Sequence, residues 1–415
     1  MANTLLTIAM ITNQVARVLR NNLSATRFVT LRYDDRFANS GGKIGQSLDI
    51  RLPAKHKSVP GTAWVPEDHV EEFATLTLQQ EHVPMLFTTN DMLLDINSFS
   101  AQVIEPAIAP LANAIDQSVC DLSIGVYNQV GTPGTAPANT DIFLDGGVLL
   151  DFEGVPKGRM RAALVDPRAE AEVIKGSKGL FNAQASISKQ FTEGSMSGPN
   201  MVSGFRWEMD QNMRVHTAGN FVGTPVTNGI PAEGATTLVT DGFTVTVATV
   251  REGDRFTLGV LGVDGVNMVR AQSLSDAGTL RTFVVTADGT ADGGGNLTIS
   301  FKPPMISNAA AASLAPRATI VALPADGVAL NFLGTENATS VDNMVFHPEA
   351  IGLAFVDLPL PRGVHMASRV QDKEMGMAFT FIQDFRADTY DYISRVDALW
   401  GVTLQRPEMA TVVYG

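Results

Sequence analysis

Apolar positions in the first part of the chain recur at helical spacing. Ile8, Ile11, Val15, Val18 and Leu19, within Leu5 to Leu23, predict an amphipathic N-terminal helix. An isolated helix of that length is marginal in water, so it must dock, either on its own subunit or as an arm on a neighbouring one. From Tyr33 to Thr77 the period changes to two. Ile44, Leu48, Ile50 and Leu52 alternate with polar residues, as do Leu76 and Leu78 after Phe73. A polar, proline-marked stretch from Pro53 to Glu72 separates them, and the whole predicts an extended two-stranded ribbon. A lone ribbon is only marginally stable, so it needs a surface to lie on.

A long helix follows. Ser98 is placed to cap it, and Phe99, Val103, Ala107, Ile108, Leu111, Ile115, Val119, Leu122 and Val126 succeed one another mostly at three- and four-residue steps. Pro106 and Pro110 each remove a backbone donor and are expected to bend or interrupt the first turns. Ala162–Val165 predicts a strand; Asp166-Pro167 then caps and starts a short helix that stops near Gly176. The texture changes again from about Gly219 to Glu336, which is rich in Thr, Val and Gly. Candidate strands there are Phe243–Val250, Arg255–Leu261, Thr282–Thr286, Leu297–Phe301 and Ala318–Leu323, the pattern of a small β-barrel inserted in a larger fold.

Composition narrows the function. With 415 residues, the chain holds two domains or one core with an insertion. It is 45% hydrophobic and 18% charged, the composition of a globular protein rather than a disordered one. The formal charge of −13 opposes binding to nucleic acid by phosphate neutralisation. The single cysteine, Cys120, permits no intramolecular disulfide and lies in an apolar helical stretch, as a buried small hydrophobe would. No apolar run approaches the length of a membrane span, and the N-terminal stretch lacks the basic start of a signal peptide.

No constellation for chemistry emerges, and the expectation is no enzyme, no catalytic residue, no metal and no cofactor. The six histidines are scattered singly. Gly194-Ser195-Met196-Ser197-Gly198 has Met where a nucleophile elbow needs Ser. Asp288, Asp292 and Asn296 sit in a glycine-rich stretch whose spacing does not match a calcium loop, and a hairpin turn explains it better.

The ribbon offers candidates of another kind. Arg51, Lys55 and Lys57 lie on its first side, and Glu67, Asp68, Glu71 and Glu72 on its second. They either pair within a solvated hairpin or complement an adjacent subunit. Trp64, between Pro60 and Pro66, either packs within the loop or anchors its tip on a neighbour.

Three stretches together resemble the major capsid (coat) proteins of tailed bacteriophages. HVPMLFTTNDMLLDINSFSAQVIEPAIAPLANAIDQSV, His82 to Val119, resembles the family's passage into its spine helix, with the pair Ile115-Asp116. ISKQFTEGSMSGPNMVSGFRWEMDQNMRVHTAG, Ile187 to Gly219, is similar to the segment entering the axial domain, with Gly204-Phe205. GMAFTFIQDFRADTYDYISRVDALWGVTLQRPEMATVVYG, Gly376 to Gly415, resembles the closing strands, with Arg395, Asp397, Gly401, Arg406, Pro407 and Glu408. The Thr- and Gly-rich middle resembles the extra β-domain of the podovirus coat branch.

The resemblance implies an α+β shell fold of the Hong Kong 97-like type. Its expected parts are an N-terminal arm helix (1–32), an extended loop (33–80), the first part of the peripheral and axial domains (81–218), an inserted β-domain (219–336) and a closing part (337–415). It further implies self-association as hexamers and pentamers, a scaffolding protein and a portal as assembly partners, and enclosure of double-stranded DNA without sequence-specific binding. It places the protein in the virion after assembly in the host cytoplasm, away from any membrane. An acidic inner wall is compatible with such a role. The alternative is a secreted or surface β-rich adhesion protein, which the Thr/Gly/Val-rich middle favours and the lack of a signal peptide opposes.

Overall fold

The computed structural model describes residues 17, 23–32, 47–57, 71–88, 105–158, 161–176, 202–310, 314–372, 377–388 and 391–415. The predicted helix of Leu5–Leu23 falls outside them except for residues 17 and 23. The chain divides into two compact units.

The first unit is built from residues 1–50, 74–120 and 351–405. Its seven-stranded sheet is organised on one long strand, Asp391–Leu404. Phe73–Thr88 runs antiparallel along one edge of that strand, from Thr77 opposite Val402 to Thr88 opposite Asp391. The other edge pairs first with Met377–Arg386 and then with Ile351–Phe355. Thr30–Arg32 joins parallel to Ile351–Phe355, and Met366–Asp372 closes the far side. Ser47–Arg51 pairs with Phe73–Thr88. The second strand of the expected ribbon is therefore a member of the sheet, and this is how the ribbon gains its support. Ile50 and Leu76 are buried together with Ala354.

The spine helix α1 spans Glu105–Cys120. Ile108, Leu111, Ala112, Ile115 and Val119 on one stripe are 0–2% exposed, as the three- and four-residue repeat requires. The helix runs about 24 Å at 1.5 Å per residue. It does not break at Pro110, which lies inside it. The ring there deletes only the bond to the carbonyl of Pro106, in the first turn. The apolar repeat continues beyond Cys120, but the backbone tightens into a 3-10 turn over Asp121–Gly125. Residues 98–104, with the predicted cap, lie outside the described residues.

Asp116 is buried in mid-helix and takes the chain's N-terminal portion by both oxygens. Ser24 donates its backbone N–H (2.7 Å) and Oγ–H (3.2 Å) to Oδ2. Thr26 donates its N–H (2.9 Å) and Oγ1–H (2.5 Å) to Oδ1. Trp400, wholly buried, donates Nε1–H to Ser118 Oγ at 3.2 Å, fixing the long strand on the helix.

The second unit comprises residues 51–73, 121–350 and 406–415. A five-stranded sheet has the order Gln129–Val130, Ala410–Val413, Asn343–Phe346, Ala162–Val165, Arg206–Met209. Helix α2, Asp141–Phe152, lies across the first three strands. Its Gly146 allows the approach, since a Cβ there would stand 3.2 Å from Val345 Cγ2. Helix α3, Pro167–Gly176, starts as expected after Asp166, whose Oδ2 accepts the N–H of Arg168 at 3.0 Å.

Between the antiparallel partners Val215–Thr217 and Thr339–Val341 the chain leaves for the β-rich segment and returns. Its six strands follow the order Leu330–Phe332, Arg255–Leu258, Phe283–Val285, Leu297–Met305, Ala235–Phe243, Gly223–Thr227. A bridge of Val226 to Ala329 joins the last strand back to the first, so the sheet closes into a barrel. Phe256, Phe283 and Phe301 fill it, with ring centroids 5.3–6.1 Å apart. Two strand expectations fail. Phe243–Val250 is not one strand: the chain ends a strand at Phe243, turns at Thr244–Ala248, and pairs again only at Thr249–Val250. Val245 and Val247 alternate, but they face solvent. Ala318–Leu323 makes only isolated bridges at Ile320, between Pro316 and Pro324. The strands Gly223–Thr227 and Leu330–Phe332, which close the barrel, carry short and weak alternation.

Replacing Asp116 by Ala leaves the N–H groups of Ser24 and Thr26 without their acceptor. We expect a loss of about 2–4 kcal/mol in unfolding free energy, read as a lower midpoint in urea denaturation, with the Asn variant recovering part of it.

Candidate functional site

The barrel is inserted by two chain crossings, so its orientation depends on what lies at its base. Three buried polar clusters stand there, all within the second unit. Arg255, at the start of an apolar strand, is 3% exposed. Its guanidinium donates to the carbonyls of Val126 and Ser123, each at 2.8 Å, and to Tyr414 Oη at 3.0 Å. Asp342 lies 3.9 Å away as the counter-charge. The carboxylate of Asp342 also accepts from Ser123 Oγ at 3.0 Å and from the Tyr414 hydroxyl. Burial pushes the Tyr414 phenol well above its ordinary value, so it stays protonated and donates to Asp342.

A second arginine, Arg281, follows a separate two-stranded hairpin, Asn267–Val269 with Asp276–Leu280. It reaches Glu153 Oε1 at 2.6 Å and stacks over the Tyr127 ring at 4.4 Å. Burial opposes its charge, but Glu153 and Tyr127 outweigh burial and hold it above the ordinary arginine value. Burial, seconded by Glu153, pushes the Tyr127 phenol well up.

The third cluster sits at the neck. Asp254 accepts from His216 Nε2 at 2.8 Å, and its carboxylate also takes the N–H groups of Gly219 and Arg251. Each charge is met by an opposite charge or by several hydrogen bonds, the condition for burying it without a large desolvation loss. The arrangement is that of a joint. Among the described residues no group of three or more His, Cys, Asp or Glu side chains is placed to hold a metal. Asp292 accepts the N–H groups of Gly294 and Asn296, each at 2.8 Å, so the glycine-rich stretch is a tight turn. Cys120 is buried.

The ribbon's charged candidates are partly brought together. Arg51 pairs with Glu71 across the ribbon. Lys55 Nζ is 3.7 Å from Glu408, and Arg317 lies 2.9 Å from Glu72. Burial raises the Glu408 carboxyl, but Lys55 and Arg406 outweigh it and hold the group below the ordinary carboxylate value. Lys57 is exposed. Trp64, Glu67 and Asp68 lie outside the described residues.

The buried joint escaped the sequence reading. One signal was present, a lone Arg255 heading the apolar run Phe256-Thr-Leu. Its hydrogen-bond acceptors lie 129 to 159 residues away and cannot be read from spacing.

The fold is thus α+β, with a spine helix in the first unit and a barrel seated on a buried joint in the second. The model of the P22 coat protein (gene protein 5) family matches residues 90–414, and the chain belongs to that family. It is a structural capsid protein, a component of a bacteriophage virion. Similar solved structures include the capsid of the cyanophage P-SCSP1u, at 10% identity and TM-score 0.43 over 93% of this chain and 86% of that one. The capsid of Ralstonia phage GP4 is similar at 7% identity and TM-score 0.42, over 94% and 87%. A virus-like particle from Pyrococcus furiosus is similar at 8% identity and TM-score 0.36, over 97% and 96%. No curated protein matches the chain. None of these findings supports the adhesion reading.

Two outcomes are expected of the joint. Arg255→Met strands Asp342 in the interior and should cost about 3–5 kcal/mol in chemical denaturation. The second concerns alkali. Tyr127 and Tyr414 have folded-state values raised above the phenol's ordinary value of 10.0. Their contribution is complete below pH of about 10 and is lost as the pH climbs towards the folded values, because only the unfolded chain ionises there. The urea midpoint should therefore fall from pH of about 9 to about 11, and the double Phe variant should fall less steeply.

Proposed function

We propose that this chain builds a closed icosahedral shell from hexamers and pentamers of itself. The shell encloses double-stranded DNA without reading its sequence, and the chain performs no catalysis. The membership of residues 90–414 in a coat protein family is the observation that carries the reading. The formal charge of −13 agrees with it, because an acidic wall does not hold DNA by its phosphates. No helix among the described residues is long and apolar enough to cross a membrane. Assembly in the host cytoplasm with a scaffolding protein and a portal completes the proposal.

We assign residues 1–32 as an arm, 33–80 as an extended loop, 81–218 and 337–415 as the peripheral and axial parts, and 219–336 as the inserted domain. In this reading Lys57, Trp64, Glu67 and Asp68, with Arg51, Lys55, Glu71 and Glu72, face a neighbouring subunit. The pairs seen within the chain leave room for that role. Arg51 and Glu71 have side chains 59% and 43% exposed, and Lys55 47%. Exposed pairs of this kind contribute little to the fold of one subunit. Many such contacts, repeated over a shell, add up.

Purified protein, with or without a scaffolding partner, should form large closed particles or rings in light scattering. Lys55→Glu with Lys57→Glu should lower their yield while circular dichroism stays unchanged. Monomers alone under every condition would sink the shell reading. Unaltered assembly of the double variant would remove the loop contact only.

A further inference from the structure

Helix α2 is apolar on more of its surface than one buried face requires. Phe143, Gly146, Gly147 and Leu150 are buried on the sheet side. Leu144 and Val148, one turn apart on the outward side, are 48% and 45% exposed. Asp141 and Asp145 flank them, both exposed, and the helix contains no Lys or Arg. A helix apolar on both sides is typically covered on both. The stripe borders a cavity of about 460 Å³ lined by Leu144, Gly147, Val148 and Phe205, with Asp151 and Lys157 at its polar end.

Helix α3 of the same unit carries the complementary surface. Arg168, Ala171 and Lys175 are exposed and share one stripe at steps of three and four. Of the acids beside them, Glu172 is held by Lys175 at 2.7 Å and Asp166 accepts the backbone N–H of Arg168 at 3.0 Å. The α3 stripe is thus basic with a small apolar centre, and the α2 stripe is acidic with a large apolar centre.

We propose that α2 of one subunit docks on α3 of a second copy of this chain. Leu144 and Val148 pack against Ala171 and the aliphatic stems of Arg168 and Lys175, while the charged heads of those stems meet Asp145 and Asp141. The two surfaces are different patches on one chain. Such a head-to-tail contact is not satisfied by a pair, and repeats until a ring closes. The inference rests on the self-assembly reading and names the surfaces that would join subunits within a ring.

The test compares the wild type with three variants of the full chain by sedimentation and light scattering. Asp145→Lys, and separately Arg168→Glu with Lys175→Glu, should each cut the yield of rings and particles about tenfold, the effect of roughly 1.4 kcal/mol per contact. The triple variant, which reverses both surfaces at once, should recover most of that yield. Melting midpoints close to wild type in all three would exclude a folding effect. If the two single-surface variants assemble normally, or if the triple variant assembles no better than they do, the docking of α2 on α3 is wrong. A wild type that stays monomeric throughout would overturn the self-assembly reading and this inference with it.

Discussion

The buried charge of Arg255 constrains the second unit more than any apolar contact does. A guanidinium at 3% exposure must have its donors met and its charge answered, or the segment unfolds around it. The groups that meet it come from distant parts of the chain: Ser123 and Val126 after the spine helix, Asp342 at the barrel's exit, and Tyr414 next to the last residue. None is complete without the others. Tyr414 donates its hydroxyl to Asp342, and Asp342 tolerates burial because Arg255, Ser123 and Tyr414 surround it. A directional joint of this sort fixes an angle, whereas greasy packing tolerates sliding.

This explains how a barrel can sit in the middle of another fold without blurring it. The barrel closes on itself through Val226 and Ala329 and has its own aromatic core. Closure also removes the free sheet edges that would otherwise invite pairing between chains. What the barrel does not supply is its own placement. The neck is only three residue pairs long, from Val215 opposite Val341 to Thr217 opposite Thr339. Asp254 stiffens the entry by holding His216 and the N–H of Gly219, and Arg281 reaches Glu153 at a separate point. Points held apart in space resist rotation as a single hinge cannot.

The sequence was most legible where one physical signal dominated. The helical repeat from Ile108 to Val119 and the sequence Ala162–Val165, Asp166-Pro167 each carry local instructions that packing does not override. Legibility failed where two local readings had equal claims. Val245 and Val247 alternate like a strand, yet Thr246 adopts φ of 55° and the segment turns. It failed entirely for the joint, because hydrogen bonds between residues far apart in the chain, such as Arg255 with Val126 and Tyr414, leave no periodicity. The charged ribbon was legible as composition, but the partner of each charge was not. Lys55 finds Glu408 and Glu72 finds Arg317, pairings that depend on where the chain returns in space.

Rigidity inside the subunit and modest contacts outside it belong to one design. A closed shell needs every copy to present its surfaces at nearly the same angles, since an angular error repeated from subunit to subunit prevents closure. The chain places its strongest electrostatics in the interior, at Arg255, Arg281 and Asp116, where they define geometry. Pairs at its surface, such as Arg51 with Glu71, remain exposed and individually weak. In the shell we propose, weak repeated contacts would let a misplaced subunit leave before it is trapped, while their sum would hold the finished assembly. Strong contacts outside and loose ones inside would produce the opposite: subunits that stick quickly at the wrong angle.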